Sequence, residues 1–174
     1  MADARVAPAY EHNGHRVTAE QFYARACDPA RSVAVEACAG AGKTWMLVSR
    51  MVRALLAGMH PREGQPALQP QEILAITFTK RAATEMRERL HTWLHDFSRA
   101  GPEALDEALR IRGVPAQDIP ALRPQLAGLY ARVLETGRLV QVRTFHSWFA
   151  ALLKAAPLAV LQRPALPVQS ERLE

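Results

Sequence analysis

Apolar side chains recur along this chain at two spacings, and the change from one to the other outlines its elements. From Lys43 to Gly58, the residues Leu47, Val48, Met51, Val52 and Leu55 fall on one helical face and Ser49, Arg50 and Arg53 on the other, which predicts an amphipathic helix. From Arg81 to about Phe97 the same rule holds for Ala82, Met86, Leu90, Trp93, Leu94 and Phe97, while Arg81, Glu85 and Arg89 are spaced for i,i+4 pairing outside. Three shorter runs lack that period. Ser32–Glu36 (SVAVE), Ile73–Phe78 (ILAITF) and Leu139–Thr144 (LVQVRT) are rich in apolar and β-branched residues and read as buried strands. His146–Lys154 (HSWFAALLK) predicts a short amphipathic helix after the third of them.

Turn and cap residues set the limits. Thr18 begins T-A-E-Q, a capping-box pattern in which Gln21 returns a hydrogen bond to the Thr18 backbone, opening a helix that runs to about Ala26 and stops at Asp28 and Pro29. Met59 to Gln71 carries three prolines and a glycine and reads as a loop. Between Gly101 and Gly137, Pro102, Pro115, Pro120 and Pro124 predict a helical insertion broken into short pieces. Residues 1–16 read as a flexible leader, 17–100 as the first part of an α/β domain, 101–137 as the insertion, 138–155 as the return to the domain, and 156–174 as an irregular end. Strand, helix, strand in that order implies right-handed parallel crossovers, hence a parallel sheet flanked by helices.

Candidate chemistry lies at the first junction, Glu36 to Trp45 (EACAGAGKTW). The ending G-x-G-K-T is that of a phosphate-binding loop, although Ala37 stands where the usual pattern opens with glycine. A glycine-rich turn between a strand and a helix N-terminus directs backbone N–H groups and the helix dipole at phosphates. Ala37, Cys38, Ala39, Gly40, Ala41, Gly42, Lys43, Thr44 and Trp45 form the nucleotide-binding set. Lys43 would neutralise the β- and γ-phosphates of ATP, Thr44 would give its hydroxyl to Mg²⁺, and Ala37 is tolerable if its φ is negative.

Composition narrows the class. With 49% hydrophobic and 22% charged residues over 174 positions, the chain is that of a globular protein. The net charge of +5 mildly favours a polyanionic partner. Two cysteines, Cys27 and Cys38, make no disulfide framework, and bridging would obstruct the loop, so reduced thiols and a cytoplasmic home are expected. No apolar run is long enough to cross a bilayer, and no membrane partner is expected.

The loop E-A-C-A-G-A-G-K-T resembles the first motif of UvrD/Rep superfamily 1 DNA helicases, particularly the RecB and AddA branch, which also has alanine at the place of Ala37; Cys38 departs from the serine, asparagine or glycine usual there. Thr77-Phe78-Thr79-Lys80-Arg81-Ala82-Ala83-Thr84-Glu85-Met86 resembles that family's motif Ia, with Arg81 where many relatives have lysine. Thr144-Phe145-His146-Ser147-Trp148 resembles its motif Ib, with Trp148 replacing phenylalanine. The resemblance, over residues 18 to 155, implies a partial RecA-like P-loop domain. It implies adenine recognition by Gln21, as the glutamine of the Q motif, against the bland reading of a helix cap. It also implies single-stranded DNA binding by Thr77, Phe78, Thr79, Lys80 and Arg81 and by Thr144, Phe145, His146 and Ser147. Hydroxyls, cations and an aromatic face suit that ligand. By the same analogy the whole protein is an ATP-dependent 3′ to 5′ DNA helicase in double-strand-break repair, working with a nuclease or helicase partner in the manner of AddAB- or RecBCD-like complexes.

Two look-alikes are set aside. Asp106-Glu107 imitates a Walker B pair but lacks a preceding apolar strand, and His91 and His95 lack the glutamate of H-E-x-x-H. Hydrolysis needs a carboxylate pair and usually an arginine finger, and neither is recognised, so these residues read as the N-terminal segment of a longer motor, inactive alone. The alternatives are a small P-loop kinase of a metabolite, which has no use for the motif Ia block, and a non-catalytic nucleic-acid-binding module.

Overall fold

Asn13 and Gly14, both at positive φ (52° and 82°), form the two-residue turn that suits a tight hairpin, and the flanking residues pair antiparallel as β1 (Tyr10–His12) and β2 (His15–Val17). The computed structural model describes residues 10–59 and 68–156, so part of the expected leader is folded, while its first nine residues and most of the irregular end lie outside the described residues. Helix α1 (Ala19–Ala26) begins at the predicted capping box. Thereafter come α2 (Lys43–Met59), β3 (Leu74–Thr77), α3 (Lys80–Arg99), α4 (Pro102–Arg110), α5 (Ile119–Thr136), β4 (Gln141–Thr144) and α6 (Phe145–Ala155).

The main core lies among α2, α3, α4 and α5, where Val48, Val52, Leu109 and Leu126 are sealed from solvent and Val142 of β4 joins them. Each such side chain contributes about 1.5–3 kcal/mol by leaving water. The insertion is less broken than its prolines suggest. Pro120 sits in the first turn of α5, where a missing N–H costs little, and Pro124 forfeits one early hydrogen bond, which the burial of Leu126, Leu129 and Val133 offsets. A smaller cluster, Ala26, Cys27 and Met46, lies under the phosphate loop.

The polar face assigned to α2 is not solvated. Ser49 is fully buried, Arg50 Nη1 donates to the carbonyls of Ala26 (3.1 Å) and Asp28 (2.6 Å), and Arg53 Nη1 donates to Ala24 O (3.3 Å). These arginines satisfy carbonyls at the end of α1, where the helix leaves acceptors unpaired. Leu47, assigned to the buried face, is exposed instead.

Strands β3 and β4 pair in parallel, with Leu74 opposite Gln141 and Thr77 opposite Thr144. Gln141 N–H donates to Ile73 O, so by alternation Val142 and Thr144 turn their backbone groups to the outer edge of β4. Arg87 Nη1 from α3 donates to Val142 O there (2.9 Å) and closes that carbonyl. On the other edge, Leu74 and Ile76 turn outward and remain 41% and 38% exposed. The predicted strand Ser32–Glu36 has no ladder partner among the described residues. Its β-branched residues favour extended backbone, but pairing needs a neighbour that no local pattern supplies. The sheet is thus a parallel pair covered by helix α3 on one face.

Candidate nucleotide and nucleic-acid sites

Gly40 and Gly42 both hold φ of +81°, a conformation that L side chains resist, and a Cβ on either would project into open space. Ala37 is not among the residues at positive φ, so alanine at the loop's first position is unstrained. Helix α2 starts at Lys43, and Met46 N–H donates to Gly42 O (3.0 Å). The N–H groups of Lys43, Thr44 and Trp45 have no partner among the described residues. The Lys43 ammonium folds over the loop and donates to Ala37 O (2.7 Å) and Cys38 O (2.6 Å). Open glycine concavity, free helix-start donors and a cation at the mouth fit the triphosphate of ATP, with the Thr44 hydroxyl beside it for Mg²⁺. The Cys38 thiol is exposed, whereas Cys27 is buried and its thiol is pushed up to about 11 by loss of water.

Gln21 is engaged locally. Its Oε1 accepts from Thr18 N–H (3.1 Å) while its own N–H donates to Thr18 Oγ1 (3.2 Å), the reciprocal capping box. The side-chain NH₂ is left to face a ligand. Trp45 turns away from the loop onto Tyr23 of α1, 5.1 Å between ring centroids, and toward Trp93 of α3.

The two strand-end motifs come together although 66 residues separate their first threonines (77 and 144). Thr77 and Thr144 are register partners at the ends of β3 and β4, and the next residues, Phe78 and Phe145, stack at 6.4 Å with 25° between planes. Phe78 is 87% exposed, which removes the alternative of a buried core phenylalanine. Thr79 accepts from Ala82 N–H (3.1 Å) to cap α3, and Thr144 accepts from Ser147 N–H (3.2 Å) to cap α6. Two helix N-termini therefore open beside a stacked aromatic pair, with exposed Lys80, Arg81 and His146 around them. That combination offers anion-binding dipoles and a face for bases.

Both look-alikes have structural partners. Asp106 is in α4 and makes a two-point ion pair with Arg123 (2.6 Å each), which holds its carboxyl below the usual range. His91 and His95 flank the Tyr130 ring at 5.5 and 5.6 Å. No helix among the described residues is long and apolar enough to cross a membrane. Sequence reasoning missed Arg112, which lies buried against Trp45, Trp93 and Phe97; nothing in I-R-G-V marks it locally.

The family described as UvrD/REP helicase N-terminal domain matches residues 17–171. The chain is similar to AddA, the ATP-dependent helicase/nuclease, of Latilactobacillus sakei, 32% identical over 95% of this chain and 14% of that protein. It is likewise similar to the AddA protein of Desulfitobacterium hafniense, 32% identical over 79% of this chain and 8% of the relative. A shorter stretch is 43% identical to AddA of Acetivibrio thermocellus, over 34% of this chain and 4% of the relative. The chain thus spans a small fraction of the length of these relatives. No solved structure matches it.

Proposed function

Since the chain belongs to the UvrD/REP helicase N-terminal domain family, with the RecA-like P-loop fold that membership implies, we propose that it is the ATP- and single-stranded-DNA-binding segment of an ATP-dependent DNA helicase of the AddA type. The observation that carries this reading is the juxtaposition at the ends of β3 and β4, where Phe78 stacks on Phe145 and two capped helix starts open beside them. A metabolite kinase has no use for such a patch. Translocation 3′ to 5′, a place in double-strand-break repair, a nuclease partner and a cytoplasmic home extend the reading to the whole protein.

In this mechanism Lys43 leaves the carbonyls of Ala37 and Cys38 to meet the β- and γ-phosphates, and the free N–H groups of Lys43, Thr44 and Trp45 bind phosphate oxygens. Thr44 holds Mg²⁺, which neutralises charge developing on the phosphates. Gln21 donates from its free NH₂ to the base, and its carbonyl reads the base only when the cap on Thr18 opens. Thr77, Thr79, Thr144 and Ser147 bind phosphodiesters along one strand, Lys80, Arg81 and His146 supply charge, and Phe78 and Phe145 stack on bases. The 174-residue chain alone binds both ligands without turnover.

The test is binding of Mg-ATP and of oligo-dT by this chain, beside Lys43→Ala, together with phosphate release. Nucleotide binding that needs Lys43, oligonucleotide binding that weakens as salt rises and no phosphate release are the expected results. Equal nucleotide affinity in Lys43→Ala would sink the reading, and phosphorylation of a small molecule with indifference to DNA would replace it with the kinase.

A further inference from the structure

Arg112 is a charge placed where water does not reach. It is 3% exposed, its Nη1 donates to Ala108 O (2.6 Å), its Nε has no partner, and no carboxylate pairs with it among the described residues. Instead its guanidinium lies 4.4 Å from the Trp93 ring centroid, 4.9 Å from Phe97 and 5.5 Å from Trp45. Burial drops its pKa to about 10, so the cation persists at neutral pH against a desolvation cost that an apolar side chain would avoid.

The turn that carries it is fitted as closely. Gly113, at φ +71°, passes so near α1 that a Cβ would stand 2.2 Å from the Ala24 nitrogen. Arg53 of α2 donates to the carbonyls of Arg112 (3.3 Å) and Gly113 (3.4 Å). The turn after α4 is therefore held between α1 and α2, and its one side chain aimed inward ends on Trp45, the residue directly after Thr44.

We infer that Arg112 is a positioning residue for the nucleotide site: through the Trp45–Arg112–Trp93 stack it fixes the first turn of α2, which carries Lys43 and Thr44, against α3, which begins at the strand-end patch. This rests on the reading of the loop as a nucleotide site. An arginine suits the task because one planar cation attracts the faces of several rings at once, and desolvation strengthens that attraction.

The experiment measures Mg-ATP affinity for the 174-residue chain and for Arg112→Met and Arg112→Lys, with the thermal midpoint of each. Arg112→Met fills the space without charge. It is expected to keep or raise the midpoint yet bind Mg-ATP about tenfold more weakly, while Arg112→Lys stays closer to wild type. A role confined to packing would move the midpoint and leave affinity unchanged in the folded variant, and that result overturns the inference. If Arg112→Met does not fold, hydrogen exchange on the unmutated chain decides: Mg-ATP should protect amides 111–114 more than the buried turns of α5, and equal gains overturn it. A wild-type chain that binds no Mg-ATP overturns both this inference and the nucleotide reading beneath it.

Discussion

The phosphate loop and the strand-end patch are built in opposite ways. The loop is local: Ala37 to Thr44 are consecutive, two glycines at φ +81° set its curve, and its lysine is held by its own carbonyls. It rests on a small cluster, Ala26, Cys27 and Met46. The patch joins residues 77–81 to 144–147 and exists only while β3 and β4 stay in register over the large cluster among α2 to α5. A local site survives weakening of the distant core as long as the chain folds, whereas a patch made by register is as stable as the helices beneath it.

The largest expected effect tests that dependence. Leu129 of α5 is almost fully buried within the large cluster, so Leu129→Ala should cost about 3 kcal/mol by transfer and cavity together. Urea denaturation gives the figure, and oligonucleotide binding should be lost in step with the fold. A change below about 1 kcal/mol would place the support of the patch elsewhere.

Next is the charge at the loop. Lys43→Ala removes a cation whose ligand bonds are charge-assisted, and a loss of about 2–3 kcal/mol, roughly a hundredfold in Mg-ATP affinity, is expected with the thermal midpoint little changed. Titration with a fluorescent ATP analogue measures it. Because the patch is separate, oligo-dT affinity should fall little; a comparable fall in both would show that the two regions share a ligand.

The patch has a counterpart to that test. Phe78 is 87% exposed and contributes little to the core, so Phe78→Ala should leave stability within about 0.5 kcal/mol while weakening oligo-dT binding by about 1–2 kcal/mol. Fluorescence anisotropy at fixed salt would read the change. Unaltered oligonucleotide affinity would take Phe78 out of the site.

The same contrast explains how much was legible. The loop and the helices around it could be read because glycine spacing, cap residues and a 3.6-residue period are local, and the Thr18–Gln21 capping box, α3 and the strand at Leu74–Thr77 stand where the pattern put them. The hairpin over residues 10–17 was also local, signalled by Asn13-Gly14, and went unread within the leader. Other features were not local. Ser49, Arg50 and Arg53 look solvated on a helical wheel, yet α1 folds back over them, and only the tertiary position of its carbonyls shows why arginines sit there. Pro124 reads as a breaker until the burial of Leu126 and Leu129 outweighs one lost hydrogen bond. Ser32–Glu36 has strand composition without a partner, and Arg112 has no sequence signal because its aromatic cage is drawn from residues 45, 93 and 97.

The smallest effect belongs to a residue outside both regions. Asp106 mimics a magnesium-binding carboxylate in sequence but joins α4 to α5 through Arg123. If that pairing is its whole role, Asp106→Asn changes neither Mg-ATP nor oligo-dT affinity, and a loss of Mg²⁺-dependent nucleotide binding would return it to the catalytic set. Its effect on the fold has a definite sign. The hydrogen bond from Arg123 lowers the native pKa, so the native state binds this proton more weakly than the unfolded chain does. The stabilisation is present in full above the ordinary aspartate pKa of about 3.9 and is lost as pH falls through the lowered native value. Because the pair is solvated, 1 M salt should shrink the small difference between wild type and Asp106→Asn at neutral pH, while the acid limbs of their stability curves converge. A difference that grew on acidification would mean that the carboxyl is engaged as the neutral acid, contrary to its geometry with Arg123.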